Sequence, residues 1–327
     1  MTGLLETQIP VLVVTISIIL AGILIGIGRA FNYKKIERFG LEEFVQAIIN
    51  AAIFGAAVVI IATSVEIGKT VQTAKCLEGA AAIDELSCSL DKDSSELFSL
   101  FQENVKILNV LGYYQTLNLN FGAFSIQPLA NIESISNTIS SQTQAMQLNL
   151  MLLNLNLQIV NFISKNALEL LFVVGLIFRM LFATRRFGGF LIALAIGLYL
   201  LYPSFVLMFP SPGGNINNAI NITKNFTNNT AYATVPIVDL NDNNAIAERI
   251  DFMSGRIALN TSENATVNAT ADFSGDLTIV IQANSQAVAD NYNYSVVAPI
   301  FSLILTIVFI KELGNILGGE IGIASIL

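Results

Sequence analysis

Four long uncharged stretches limit what this chain can fold into. They cover residues 7–28, 44–65, 187–223 and 291–310. A helix needs about 20 apolar residues to cross the lipid core of a membrane, so each stretch can hold one span. A fifth candidate, 166–184, contains Glu169 and Arg179 and spans only if both charges reach the headgroups or face protein. We therefore predict an all-α polytopic membrane protein with about five transmembrane helices.

The composition points away from catalysis. Hydrophobic residues make up 54% of the chain and charged residues 12%, whereas soluble domains carry about 25% charged residues. Histidine is absent, which removes Ser-His and Cys-His catalytic pairs and imidazole-bound metals. The two cysteines do not form a CxxC pair. We expect no enzymatic activity, no cofactor and no metal site.

Positive charge in short loops predicts the orientation. Lys and Arg near span ends mark the cytoplasmic side. They cluster after the span in 7–28, at Arg29, Lys34, Lys35 and Arg38, and after the span in 166–184, at Arg185 and Arg186. This places a multi-pass protein in the cell membrane with its N-terminus outside. The predicted segments are 1–67, two transmembrane helices with a basic cytoplasmic loop; 68–165, extracellular amphipathic helices with a disulfide; 166–209, a transmembrane helical hairpin; 210–294, an extracellular glycosylatable loop; and 295–327, a transmembrane helix and cytoplasmic tail.

Three features of the outer segments agree with this orientation. Cys76 and Cys88 both lie in the first, where a disulfide would persist. All the Asn-x-Ser/Thr sequons lie in the second, although a segment rich in Asn and Thr also produces sequons by chance; they are Asn221, Asn225, Asn228, Asn260, Asn264, Asn268 and Asn293. The two segments also account for the formal net charge of −8. An acidic exterior does not attract DNA.

Two helices are predicted in the first outer segment. Asp93 and Glu96 can form a capping box before an amphipathic helix that carries Leu97 and Leu111 on one face. Further on, apolar residues recur every seven positions, which indicates a long helix packed on a partner. They are Ile132, Ile139, Met146, Leu153 and Val160.

The second half of that long helix also carries amides. These are the candidates for lining a passage or an interface: Asn149, Asn154, Asn156 and Asn161. Their burial in lipid without partners would cost several kcal/mol. The helix therefore suits a protein interface or a wet cavity, or it lies on the outer membrane surface. In the 210–294 loop, "ATVPIVDL" and "DLTIVIQA" have strand character, which predicts a small β-rich or irregular loop.

Small residues and one arginine are the candidates within the spans. Gly22 and Gly26, and likewise Gly314 and Gly318, have the spacing of close helix packing. That packing serves either the internal bundle or self-assembly, and we expect a homo-oligomer. Arg179 lines an inner vestibule or pairs with an acidic group, unless it extends to the headgroups.

Two stretches resemble known families. The segment "FRMLFATRRFGGFLIALAIGLYLLYP" resembles archaeal multi-pass proteins related to the membrane component of the crenarchaeal Ced DNA-import system. The segment "PIFSLILTIVFIKELGNILGGE" is similar to the closing span of the membrane channel subunit of conjugation and type IV secretion systems. The resemblance implies an outside N-terminus, five spans, a secretion-type ATPase and pilin-like subunits as partners, and DNA or protein as cargo.

These features favour a non-enzymatic membrane subunit of a cell-envelope translocation complex, in which cargo passes along a conduit and not over a basic surface. A membrane-anchored envelope glycoprotein for adhesion or surface-layer contact is the alternative. A small-solute transporter or membrane enzyme is disfavoured because the chain shows no inverted repeat and no paired acids within a span.

Overall fold

A computed structural model describes residues 9–71, 76, 81–116, 119–120, 125–126, 132–181, 184–228, 242, 244, 246–247, 250 and 273–318. Helices dominate this part of the chain. They are α1 (Ile9–Ala30), α2 (Lys34–Val71), α3 (Ala82–Gln115), α4 (Ile132–Asn166), α5 (Val173–Met180), α6 (Arg185–Ile196), α7 (Tyr202–Leu207), α8 (Gly213–Thr227), α9 (Phe273–Tyr292) and α10 (Ala298–Ile316).

Three short π-helical segments join consecutive helices into longer runs. Ala167–Phe172 connects α4 to α5, Gly197–Leu201 connects α6 to α7, and Asn293–Val297 connects α9 to α10. A π turn adds one residue to a helical turn and so shifts the buried face around the axis. The two strands, β1 (Leu119–Asn120) and β2 (Ser125–Ile126), form one short antiparallel hairpin.

Five helical runs in the described part of the chain are long and apolar enough to cross a membrane. They are Pro10–Ala30, Lys34–Val59, Ile132–Met180, Arg185–Leu207 and Gly275–Ile316. An all-helical chain with about five such helices is therefore confirmed, and the runs from Ile132 and Gly275 extend well beyond the predicted windows. The direction in which they cross stays a prediction.

The chain divides into two compact units. The first contains Met1–Leu90, Leu155–Pro210 and Val296–Leu327, and the second contains Asp91–Asn154 and Ser211–Ser295. We call them the apolar unit and the polar unit.

Helix α10 shows how the apolar unit is packed. Its buried face repeats every fourth position and consists mostly of small or weakly polar residues, with Ile310 the large one: Ala298, Ser302, Thr306, Ile310 and Gly314. Its exposed positions are large and apolar, among them Ile300, Phe301, Ile304, Val308 and Phe309. Small residues inside and large apolar residues outside are typical of helices that pack on each other while facing lipid.

The helices of the polar unit pack through buried side chains that recur alternately three and four positions apart along each helix. Helix α3 buries Leu97, Leu100, Asn104, Ile107, Leu111 and Tyr114; α4 buries Ile139, Gln142, Met146, Asn149 and Leu153; α9 buries Leu277, Val280, Asn284, Ala287 and Asn291. This spacing is that of helices packed knobs into holes. One hydrophobic cluster joins these three helices and Phe226 of α8. All five apolar residues of the predicted seven-residue repeat in α4 are buried.

Two local predictions are wrong. "DLTIVIQA" lies inside α9 and is not a strand: the β-branched residues favour a strand locally, but Leu277, Val280 and Asn284 share a buried helical face. The segment "ATVPIVDL" falls outside the described residues. Asp93 is not a helix cap, because α3 begins at Ala82, more than two turns earlier.

Candidate functional site

Arg179 lies near the end of α5 and is bound within the chain. Its Nε donates to Asn50 Oδ1 of α2 at 2.8 Å, and its Nη1 donates to the carbonyl of Leu317, the residue that directly follows α10. Arg179 is 6% exposed and Asn50 is 3% exposed. The C-terminal end of a helix carries partial negative charge, so a guanidinium is stabilised there. We call this group of three residues the arginine clamp.

Glycines make the arginine clamp possible. A Cβ on Gly188 would lie 2.5 Å from both the Arg179 nitrogen and the Gly175 oxygen. A Cβ on Gly189 would lie 2.8 Å from the Leu317 oxygen and 3.2 Å from Arg179 Nη1. Side chains at these positions would push α5, α6 and the end of α10 apart. The paired glycines therefore allow close helix contact beside the buried cation.

The contacts of Arg179 differ from those that the sequence predicts. The sequence predicted that Arg179 lines a vestibule, pairs with an acid or extends to the headgroups. In the structure Arg179 is instead bonded to the side-chain amide of Asn50 and to the backbone carbonyl of Leu317. The acid Glu43 pairs with a different arginine, because its Oε1 lies 2.6 Å from Arg185 Nη2. The signal that sequence reasoning missed is Asn50, a single amide inside an otherwise apolar part of α2.

Amides form a buried seam between α4 and α9 in the polar unit. Gln142 Nε2 donates to the Ile281 carbonyl at 2.9 Å and to Ser285 Oγ at 2.6 Å. Asn149 Nδ2 donates to the Val288 carbonyl at 3.2 Å. Both amides thus bond to the neighbouring helix of the same chain. Asn149 is an internal interface residue and does not line a passage in the single chain.

A second buried polar layer crosses the polar unit. Asn284 of α9 donates to Asn104 Oδ1 of α3 at 2.7 Å, and Asn104 donates in turn to Met146 Sδ of α4 at 3.6 Å. Thr223 of α8 donates to Asn284 Oδ1 at 3.4 Å. All four residues are fully buried. Because a buried amide is stabilised only when it meets its partner, such a layer fixes the relative register of the helices.

The remaining candidate amides of α4 also bond within the chain. Asn154 is exposed and bonds its own helix at the Leu150 carbonyl, 2.9 Å away. Asn156 is buried. Asn161 accepts a hydrogen bond from Ser87 of α3 at 3.0 Å.

The outward side of α4 carries a row of large apolar side chains. They are between 42% and 66% exposed, and we call them the α4 face: Leu148, Met151, Leu155, Ile159 and Phe162. Exposed amides, Asn154 among them, lie beside this row, whereas Gln142, Asn149 and Asn156 are buried. A contiguous apolar face on an outer surface marks a contact with lipid or protein.

Two acids meet at the start of α8. Ser211 Oγ lies 3.3 and 3.4 Å from the two Asp93 carboxylate oxygens. A Cβ on Gly213 would lie 3.2 Å from both Asp93 Oδ1 and Glu96 Oε2, so both carboxyl groups face the first turn of α8. Burial, and then the charge of Glu96, raise the pKa of Asp93 to about 7. Lys92 lies 4.0 Å from Glu96. We call this group the acid junction.

The predicted cysteine pair is bonded. Cys76 and Cys88 form a disulfide with their Cα atoms 6.0 Å apart. The Cys76 backbone N–H donates to Glu85 Oε1 in the first turn of α3. These two contacts attach Cys76, which precedes α3 in the chain, to the N-terminal end of that helix.

Four of the sequon asparagines are described, and all four are exposed: Asn221, Asn225, Asn228 and Asn293. The hydroxyls of three of these sequons face inward. Thr223 is part of the buried polar layer, Thr227 donates to Glu103 Oε2 at 3.1 Å, and Ser295 is buried. Positions two apart on a helix point in roughly opposite directions. Asn260, Asn264 and Asn268 lie outside the described residues, and modification of any of the seven stays a prediction.

The predicted glycine motifs differ in use. A Cβ on Gly22 or Gly26 would meet nothing within 4 Å, so neither residue makes a close contact with the described part of the chain. The hairpin of α1 and α2 instead closes at Gly28 and Gly40, where a Cβ would lie 2.5 Å from Glu37 N and 2.8 Å from Ile25 N, respectively. Gly314 is buried, and Gly318 follows α10 with a φ of 81°, a conformation that glycine adopts readily.

Groups that could bind small ligands are few in the described part of the chain. Those residues contain no set of three or more His, Cys, Asp or Glu side chains placed to hold a metal ion. A cavity of about 230 Å³ lies beside Lys106, Val110 and Phe226, below the range of about 300–1,000 Å³ typical of ligand pockets. Comparison of the chain with protein-family models, curated proteins and solved structures finds no match.

Proposed function

We propose that the chain is a non-enzymatic integral membrane subunit of a cell-envelope translocation complex that moves DNA or protein. The observation that carries this proposal is the α4 face. Large apolar side chains that are between 42% and 66% exposed lie on a helix that also buries Gln142, Asn149 and Asn156. Such a surface is stable only when other molecules cover it. A subunit that is completed by its neighbours fits this surface better than a protein that acts alone.

The orientation of this subunit follows from its charges and its disulfide. Arg29 pairs with Glu37 at 2.9 Å and Arg185 with Glu43 at 2.6 Å, and we place these basic turns in the cytoplasm. The Cys76–Cys88 disulfide suits the oxidising outer side. The polar unit then faces the cell exterior.

The buried amides and the arginine clamp change where a passage can run. Asn149, Asn156 and Arg179 are enclosed by helices of their own chain and so do not line a conduit in a single copy. In the proposed complex the cargo passes between subunits. With a formal net charge of −8, this subunit does not attract DNA over a basic surface. A separate ATPase supplies the driving force.

Native mass measurement of the complex tests this function. Membranes are extracted with a mild detergent, and the full chain is purified by a terminal tag. The proposal expects a particle with more than one subunit and with a secretion-type ATPase or pilin-like protein bound. Particles that contain a single copy and no partner would contradict it.

The alternative is an envelope glycoprotein for adhesion or surface-layer contact. The observation that favours it is the exposure of Asn221, Asn225 and Asn228 along one side of α8. Replacing all three with Gln removes the modification sites without disturbing buried residues. Loss of cell attachment with cargo transfer intact would favour adhesion, whereas unchanged attachment would favour the translocation subunit.

A further inference from the structure

The position of the α4 face along its helix limits what can cover it. Helix α4 continues through its π segment into α5 as one run from Ile132 to Met180. At 1.5 Å per residue, a lipid core of about 30 Å takes about 20 residues, counted from the α5 end up to about residue 161. The fifteen residues from Phe162 back to Leu148 rise about 21 Å further. On this count the lipid core ends beside Phe162, and the rest of the α4 face lies beyond it, open to protein.

Charge favours a copy of the same chain as that protein. Helix α4 carries no charged residue between Glu133 and Lys165, so two α4 faces meet without repulsion. Other helices of the polar unit carry acids, such as Glu103 of α3 and Asp276 of α9. Because the chain has a net charge of −8, copies that approach through acidic surfaces repel each other. Among α3, α4 and α9, helix α4 therefore offers copies the surface with the least charge repulsion.

The spacing of the α4 face fits a parallel helix. Leu148, Leu155 and Phe162 are seven residues apart, and Met151 follows Leu148 by three. Seven-residue spacing keeps two helices in contact along their length. Copies of one chain that are inserted into one membrane in the same direction have parallel α4 helices, so identical positions come to the same level.

We propose that a second copy of this chain packs on the α4 face, with the two α4 helices parallel and in register. This proposal rests on the proposed function, since it names the partner of the surface that a membrane subunit leaves open. The contact lies just outside the lipid core, where Leu148, Met151 and Leu155 are removed from water. Any passage lies beside this helix pair and not inside one chain.

Disulfide cross-linking in membranes tests the arrangement. The described cysteines are paired with each other, so Met151→Cys or Leu155→Cys adds one free thiol to the full chain. Oxidation of membranes that contain either variant is expected to give a homodimer. Asn218→Cys on the exposed side of α8 is the matched control and is expected to stay monomeric on a denaturing gel.

A charge variant provides a second, independent reading. Leu155→Glu places two like charges opposite each other across the proposed contact, and dimerisation in detergent is expected to weaken roughly tenfold or more. Leu155 is 55% exposed, so helicity and melting of the isolated chain are expected to stay unchanged. Asn218→Glu is the control and is expected to leave dimerisation unaffected.

Three results would overturn the second-copy contact. A cross-link from position 151 or 155 to a different protein, without homodimer, would refute it and leave the subunit function standing. Equal homodimer yields at positions 151 and 218 would show that collisions are unspecific. If neither position cross-links to any protein and the native particle is a monomer, both the contact and the proposed function fail.

Discussion

The acid junction predicts that the polar unit is more stable in acid than at neutral pH. Asp93 is 2% exposed, and its pKa rises from 3.8 to about 7 because it is buried beside Glu96. The unfolded chain releases this proton near pH 3.8, whereas the folded chain keeps it up to about pH 7. Stability therefore falls as the pH rises through this window and levels off above it. Since a tenfold change in proton affinity corresponds to about 1.4 kcal/mol, the loss amounts to about 4 kcal/mol.

Asp93→Asn removes the ionisable group while keeping its size and its hydrogen bond to Ser211. At pH 8 the variant is expected to be more stable than the natural chain by up to about 4 kcal/mol. At pH 4 the two are expected to be equal within about 1 kcal/mol. Burial also raises the pKa of Asp84, so the variant keeps a smaller pH dependence of the same sign.

Denaturation of the purified full chain in detergent, followed by circular dichroism at several pH values between 4 and 8, measures the effect. Asp91→Asn is the matched control, because Asp91 is an exposed acid on the same helix, and its curve is expected to follow that of the natural chain. Equal stability of the natural chain at pH 5 and pH 8 would show that Asp93 does not keep its proton in the folded state. Loss of the same stability at both pH values in Asp93→Asn would show the same.

Three further predictions concern packing inside the chain. Arg179→Met removes the arginine clamp and leaves Asn50 and the α10 carbonyl without their donor, which is expected to lower the free energy of unfolding by about 3 kcal/mol or more; an unchanged denaturation midpoint would contradict the clamp. Gly188→Ala places a Cβ 2.5 Å from the backbone of Arg179 and is expected to unfold the chain at lower temperature, whereas Gly22→Ala, which meets nothing within 4 Å, is expected to melt like the natural chain. In the buried polar layer, Asn104→Leu and Asn284→Leu are each expected to cost about 1–3 kcal/mol, and the double variant less than their sum; strict additivity would show that the two amides do not interact.

Sequence patterns predicted the features that depend on position along one helix. The uncharged stretches give five helices able to cross a membrane, and the seven-residue repeat gives the buried side of α4. The same reasoning applied to α9 would have replaced the predicted strand, since Leu277, Val280 and Asn284 already show helical spacing. The strand propensity of the β-branched residues in "DLTIVIQA" does not decide its structure, because these residues favour strands only when no helical face has to be buried.

What the sequence could not predict depends on which helices meet. The groups that bind Arg179 belong to Asn50 and Leu317, which are distant from it in the sequence. Neither group is charged, so charge pairing cannot predict the contact. Asp93 and Ser211 likewise meet across more than a hundred residues, and their contact explains why an acid stands in the buried row of α3. The hydrogen-bond partners of the α4 amides also required the structure, because the seven-residue repeat identifies the buried side of α4 but not the helix that packs on it.

Accessibility measurements along α4 and α5 test whether protein, and not lipid, covers the α4 face beyond the lipid core. A spin label is placed singly at Leu148, Met151, Leu155, Phe162, Leu170 and Ile177 of the full chain in lipid bilayers, and collision with oxygen and with a water-soluble nickel complex is recorded. High oxygen accessibility is expected at Leu170 and Ile177, and protection from both reagents is expected at Leu148, Met151 and Leu155. Oxygen accessibility that stays equally high from Ile177 to Leu148 would show that lipid covers the whole α4 face and that no second copy packs there.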